Sequence, residues 1–322
     1  MAPATPADGV PEVAADPSAR PASRVGPVDP AGLAARCGEL LDAVRERGPL
    51  VHAITNSVVT NVTANVVLAI GAAPAMVDIV GEAGDFAAVA DGLLVNLGTP
   101  APEQREAMHE AVAGARRVGT PWVLDPVAIG SLRVRTPLAA ELVAQGPTAV
   151  RGNASEILAL AGEGTGGRGV DSSDPIDAAV AAATRLARTH GAVVAVSGER
   201  DLITDGSTLV EVGGGSALLT RMTGGGCALG AVIAAFLGVR GEGAPALEAV
   251  VAAHAAYSAA AERAASGADG PGTFAPRLLD ALAAIGPDEL RAPGRLHVGA
   301  ATPGGTGDHG DTVDQGDGGE AA

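Results

Sequence analysis

The chain has 322 residues, a formal net charge of −16 and a hydrophobic content of 47%, which is enough apolar material for a sizeable core and too acidic for a non-specific nucleic-acid surface. Aromatic residues make up 2% of it, so Ala, Val and Leu must fill that core, and two cysteines, Cys37 and Cys227, are too few for a disulfide framework. The N-terminus lacks a basic segment followed by an apolar one and no apolar run reaches membrane-spanning length, so the expectation is a cytoplasmic protein with no membrane partner.

Residues 1–28 are Ala/Pro-rich without a period and read as a disordered leader. From Pro30 to Arg47 apolar residues recur at helical spacing and stop at Gly48. The strand LVHAIT follows, then a helix expected to open at Thr55 or Asn56 and to end at Gly71, then a strand in APAMV. DFAAVADG reads as a short helix, LLVNLG as a buried strand, and EQREAMHEAVAGARRVG as a helix closed by Gly119. Strands PWVLDP and TAVRGN flank a helix around LAAELVAQG. A helix capped by Asp174, with Pro175 in its first turn, then leads to strand AVVAVSG.

This alternation predicts an α/β fold, a mostly parallel central sheet with helices on both faces. Asp205-Gly206 between DLITDG and STLVEV signals a hairpin, an antiparallel edge to that sheet. Three helices follow: AVIAAFLGV, the Ala-rich run from Pro245 to Ser266, and APRLLDALAAIG. The organisation expected is a single domain over residues 29–290, with a disordered acidic Gly/Asp-rich tail over residues 291–322.

The chemistry centres on Thr223-Gly224-Gly225-Gly226-Cys227, just ahead of an apolar helix. Glycines leave backbone amides bare, and a helix N-terminus favours anions, so the amides of Gly224, Gly225, Gly226 and Cys227 can cradle a phosphoryl group that is developing charge. No Lys-Ser or Lys-Thr pair follows, so it is not the common phosphate loop. Cys227 is either a small buried hydrophobe or, at a helix N-terminus, a thiol of lowered pKa acting as a weak general base. Arg151, Asn153 and Glu156 sit at a strand-to-helix junction; Asn153 and Glu156 make a capping box by spacing, while Arg151 would meet phosphate and Glu156 hold magnesium through water. Asp125 ends another strand, with a similar role or that of a cap before Pro126. His52, Thr55, Asn56, Asn61 and Asn65 are either a pocket floor or satisfied core and helix residues, and Met76 is more often core than ligand contact.

Across residues 38–287 the segments PLVHAITNSVVTNVTANVVLAIGAAPAM, LLVNLGT, VLDPV, VRGNASEI, AVSGE, LLTRMTGGGC and PGTF occur in an order that resembles the hydroxyethylthiazole kinase family of the ribokinase-like superfamily. The resemblance implies transfer of the γ-phosphoryl of ATP to the primary hydroxyl of 4-methyl-5-(2-hydroxyethyl)thiazole, a thiamine-salvage step, with Mg2+, in a homotrimer whose active sites lie between subunits. It implies that Met76, Gly224 and Asn56 serve the thiazole and Arg151 and Ser197 bind ATP alongside Gly225 and Gly226. By the same likeness Asp125 and Glu156 serve the metal, and Cys227 stands at the catalytic position. Two departures are visible. Ala128 stands where the family often has glycine in DPVGxG, and GGGSALL lacks the usual Asn-Gly-His.

Overall fold

The computed structural model describes residues 29–163 and 175–301. The expected leader, the Asp174 cap and the tail beyond 301 lie outside the described residues. Six strands run parallel: β1 (Leu50–Ile54), β2 (Ala73–Ala75), β3 (Gly92–Asn96), β4 (Trp122–Asp125), β5 (Ala149–Asn153) and β6 (Val193–Ser197). Three more, β7 (Asp201–Thr204), β8 (Thr208–Val212) and β9 (Leu296–Ala300), extend the sheet antiparallel, in the order β2-β1-β3-β4-β5-β6-β7-β8-β9.

Both faces are covered. Val51, Ala53, Leu94, Val123 and Ala195 point to one side, against α1 (Pro30–Arg47), α2 (Thr60–Ile70), α8 (Cys227–Val239), α9 (Ala246–Ala265), α10 (Pro271–Ala284) and the short α11 (Pro287–Leu290). Leu93, Val95, Trp122, Leu124 and Val194 point to the other, against α3 (Ala83–Val89), α4 (Pro102–Val118), α5 (Arg135–Val143), α6 (Ala154–Leu160) and α7 (Pro175–His190). Alternate residues of one strand therefore enter different cores, which is why these strands read as near-continuous apolar runs. Among the described residues no helix is long and apolar enough to cross a membrane.

The punctuation read from the sequence operates locally. Asp29 accepts from the amides of Ala31 and Gly32 (3.2 and 2.9 Å) ahead of Pro30, and α1 ends on Gly48 in the left-handed region, φ 57°. The expected opening of the second helix is corrected: α2 begins at Thr60, not at Thr55 or Asn56. Asn56 instead starts a turn, its carbonyl accepting from the Val59 amide and the Thr60 hydroxyl at 3.1 Å each, because its side chain is committed elsewhere. The expected tail is corrected too. Leu296–Ala300 pairs with β8 as a ninth strand, with Leu296 and Val298 packed on the core, so β8 is not the sheet edge. That pairing is non-local, and Gly and charge around the segment hide it.

The topology selects the site. From β1 the chain moves outward through α2 on one face to β2, then returns through α3 on the other face to β3. Connections that diverge in this way open a crevice outside the carboxyl ends of the strands, the side of the sheet on which β4, β5 and β6 also end.

Candidate active site

A cleft of about 870 Å³ lies over the ends of β4, β5 and β6, lined by Asp125, Arg151, Glu156, Ser197, Asp201 and the run Gly224–Cys227 among others. Cys227 is the first residue of α8, whose remaining residues are almost all buried, so the positive end of the helix dipole meets the cleft from the protein interior, with the Ala228 and Leu229 amides tied to the carbonyls of Gly224 and Gly226 (2.9 and 3.0 Å). Gly224 has φ 87°, a conformation that strains any residue with a side chain, and a Cβ there would also press on Val59 and Val62 at 3.1–3.3 Å. At Gly225 a Cβ would run into the backbone carbonyl of Leu219. At Gly226 it would meet the Arg151 guanidinium at 3.1 Å, so the arginine lies against the cradle.

Adjacent strands supply the polar wall. Arg151 on β5 donates from Nε to the Ser197 hydroxyl at the end of β6 (3.0 Å), and its Nη1 lies 3.9 Å from Asp125 Oδ2. Asp125 is fully buried at the end of β4, and burial pushes its carboxyl up to about 7 against the opposing charge of Arg151; Glu156 adds to the rise and the Asn96 hydrogen bond opposes it. Its Oδ1 has no hydrogen-bond partner among the described residues.

Glu156 is the capping residue that its spacing indicates: Oε2 accepts from the Asn153 amide (2.8 Å), while Asn153 Oδ1 accepts from the Glu156 amide (2.9 Å). Its Oε1 accepts from the Ala128 amide (2.8 Å). Each carboxylate oxygen keeps a second lone pair, so a water-mediated metal contact is compatible with the cap. Among the described residues no group of three or more His, Cys, Asp or Glu could hold a metal ion. An unpartnered buried Asp125 oxygen beside Glu156 nevertheless fits a cation that takes one or two carboxylates and completes its shell with water and phosphate, as magnesium does.

Ala128 adopts φ 56° at the point where its amide meets Glu156. Left-handed backbone costs a residue with a Cβ about 1–2 kcal/mol, and glycine gives back about 0.4–1 kcal/mol through unfolded-state entropy. Ala128→Gly should therefore stabilise the protein by about 0.5–1 kcal/mol. The urea midpoint should rise with an unchanged slope; a lower midpoint would show that the strain is not there.

Asn96, at the end of β3, is a site residue that the sequence reading left inside a buried strand. Its Nδ2 donates to Asp125 Oδ2 (2.7 Å), while its Oδ1 accepts from Asn56 Nδ2 and the Gly98 amide (3.0 Å each). Asn56 Nδ2 also reaches Cys227 Sγ at 3.6 Å. The signal was present: one amide side chain closing an otherwise apolar strand. This network places Asn56 behind the thiol rather than among the residues lining the cleft.

The expectation of a lowered thiol pKa is reversed. Burial first, and then the charge of Asp125, push the Cys227 thiol up, outweighing Asn96, Asn56 and Arg151. Both effects favour the neutral thiol, in which form Cys227 lines the cleft.

Met76 is half-buried against the first core and is not among the residues lining the cleft. His52 is buried and structural: its Nε2 donates to the Val77 carbonyl (2.6 Å), and its ring meets Phe86 edge-on at 5.1 Å. Asn61 and Asn65 bond to each other along α2 and do not line the cleft. The pocket-floor reading of these three therefore gives way to the structural one.

A model of the hydroxyethylthiazole kinase family matches residues 41–288. The hydroxyethylthiazole kinase of Clavibacter sepedonicus is 60% identical over 258 residues, covering 80% of this chain and 93% of that protein. That of Corynebacterium glutamicum is 52% identical over 243 residues, 75% of this chain and 91% of that protein. The solved structure of a hydroxyethylthiazole kinase protein from Pyrococcus horikoshii superposes with a TM-score of 0.74 at 36% identity, over 81% of this chain and 98% of that one.

Proposed function

The chain belongs to the hydroxyethylthiazole kinase family, and on that premise we propose that it uses ATP to phosphorylate the primary hydroxyl of 4-methyl-5-(2-hydroxyethyl)thiazole for thiamine salvage. The observation that carries this reading is the glycine run at the N-terminus of α8, held against Arg151 and facing the ends of β4, β5 and β6.

Phosphoryl transfer asks a protein for alignment and for stabilisation of charge on the transferring group more than for covalent chemistry. The amides of Gly224, Gly226 and Cys227 are the donors for that charge, the Gly225 amide being turned back to the Met222 carbonyl (3.4 Å), and the burial of α8 keeps the run in place. Arg151, braced by Ser197, adds a cation for the nucleotide phosphates. With Cys227 protonated, the hydroxyl proton leaves to water or to a phosphoryl oxygen once transfer is under way. Magnesium, when bound, neutralises phosphate oxygens; Asp125, through its unpartnered oxygen, and Glu156, through water, are the residues that would hold it.

The thiazole is proposed to contact Gly224 and Met76, with Asn56 near it but behind the Cys227 thiol. Met76 lies apart from the cleft of its own chain, and Val58, Ile79 and Val80 beside Asn56 and Met76 are exposed apolar residues. These two facts support a neighbouring subunit that completes the thiazole pocket; a homotrimer in the cytoplasm is the arrangement that the family resemblance implies.

Two substitutions separate the roles. Arg151→Ala should raise the KM for ATP about 10- to 100-fold, the range for losing charge-assisted hydrogen bonds. Cys227→Ala should retain activity within about tenfold, with an unchanged pH profile. Loss of all turnover in a folded Cys227→Ala protein would make the thiol essential and contradict this mechanism. The reading as a whole is tested by magnesium-dependent ADP release with hydroxyethylthiazole beside hydroxymethylpyrimidine and ribose. Release specific to the thiazole is expected; nucleotide binding without turnover on any of the three would leave a nucleotide sensor in place of a kinase.

A further inference from the structure

α9 is built almost wholly of alanine and valine along its buried length, yet it carries His254 with no exposed surface. His254 Nδ1 stands 2.7 Å from Asp201 Oδ2. An ionised carboxylate only accepts, so Nδ1 carries the proton and donates. Asp201 opens β7 and lines the cleft, and its other oxygen accepts from the Gly198 amide at 3.1 Å. Gly198 directly follows Ser197, the residue that takes the Arg151 Nε hydrogen bond. One turn along α9, Tyr257 and Ser258 also line the cleft, so this face of the helix is its back wall.

Charge makes the arrangement consequential. Among the described residues lining the cleft, Asp125, Glu156, Glu199 and Asp201 are acidic and Arg151 alone is basic. A polyphosphate entering there meets more negative than positive groups, so each carboxylate must be tied down or screened. Burial would raise the Asp201 carboxyl, but the charge and hydrogen bond of His254, the Gly198 amide and the charge of Arg151 together hold it below the usual carboxylate range. Asp201 therefore stays an anion at the back of a nucleotide cleft, and it is tolerated because His254 and Gly198 occupy both its oxygens.

The geometry points to His254 and Asp201 as a positioning pair for the nucleotide: His254 anchors Asp201, Asp201 pins the Ser197-Gly198 turn, and that turn sets the Ser197 hydroxyl that orients the Arg151 guanidinium. The pair rests on the reading of this cleft as the ATP site. It touches no reacting atom in this arrangement, so its removal acts on nucleotide binding and not on the transfer step.

The test uses the full chain, with equilibrium binding of magnesium-ADP and steady-state kinetics on hydroxyethylthiazole side by side. His254→Ala is expected to weaken ADP binding and raise the KM for ATP together, by about tenfold, with kcat within about threefold of the parent, because the buried Asp201 anion and its turn lose their anchor. His254→Asn, whose amide nitrogen can stand near the place of Nδ1, should return both constants to within about threefold of the parent. A folded His254→Ala protein with unchanged nucleotide affinity, or a His254→Asn protein no better than His254→Ala, would overturn the proposal. Should His254→Ala fail to fold, Asp201→Asn carries the test, since its amide can accept from Gly198 or from His254 but not from both; unchanged ADP affinity there overturns it equally. ADP binding needs no acceptor alcohol. A parent protein that binds ADP but never turns over the thiazole would refute the substrate assignment and leave this pair still testable.

Discussion

Asp125→Asn is expected to lower turnover by about 10³-fold while making the protein harder to unfold at pH 8. The activity loss follows from position: Asp125 stands at the end of β4, beside Arg151 and Glu156, with an oxygen that nothing else in the described residues engages. The gain in stability follows from the direction of its pKa. Its folded-state value, about 7, lies above the ordinary 3.8, so the native state holds the proton more tightly than the unfolded chain. Below about pH 4 both states are protonated and there is no penalty; the penalty grows as pH rises and is complete above about pH 7, at a size on the order of 4 kcal/mol.

Asparagine removes that penalty and keeps an oxygen to accept from Asn96. Thermal unfolding in chelator, at pH 5 and pH 8, should therefore show the variant gaining on the parent as pH rises. A variant less stable than the parent at pH 8 would mean that the buried charge is compensated better than its surroundings indicate.

Gly225→Ala should cost more than 100-fold in kcat for a smaller change in stability. The obstructing atom is the Leu219 backbone carbonyl oxygen, which cannot rotate away as a side-chain end can, so the loop carrying the amides must move. Overpacking of this kind costs about 1–3 kcal/mol of folding free energy, whereas a shift of about 1 Å in donors aimed at a transition state is enough for a 100-fold loss in rate. Gly226→Ala is the comparison. Its Cβ meets the end of the flexible Arg151 side chain at 3.1–3.2 Å, so the arginine can give way and the effect should fall on the KM for ATP. Equal losses in kcat for the two variants would argue against a cradle of pre-aimed amides.

Much of the fold was legible because it is written in local chemistry. Asp29 and Pro30 start α1, Gly48, Gly71 and Gly119 stop three helices in left-handed conformations, and Asp205-Gly206 turns the hairpin. The motif cluster was legible for the same reason: Gly224–Cys227, Arg151, Asp125, Glu156 and Ser197 all sit at strand ends or helix starts, where an alternating α/β pattern converges on one side of the sheet, and all of them line one cleft. Ala128 was visible as a departure from a glycine-rich loop, and its left-handed backbone explains why glycine is the easier residue there.

What failed or went unseen depended on partners far away in the chain. Asn56 looked like a helix cap and is instead tied to Asn96, 40 residues on, and to Cys227, 171 residues on. β9 looked like tail and becomes a strand because β8 offers an open edge. The sequence by itself determined the α/β class, the helix and turn boundaries that caps impose, and the residues that carry charge and bare amides to the sheet's carboxyl edge, because each of these depends on neighbours a few positions away. Only the tertiary structure decided that the Cys227 thiol keeps its proton, that Asp125 is strained toward neutrality, and that His254 reaches Asp201 from 53 residues away. Burial and the approach of distant charges set those properties, and both come into being when the chain packs.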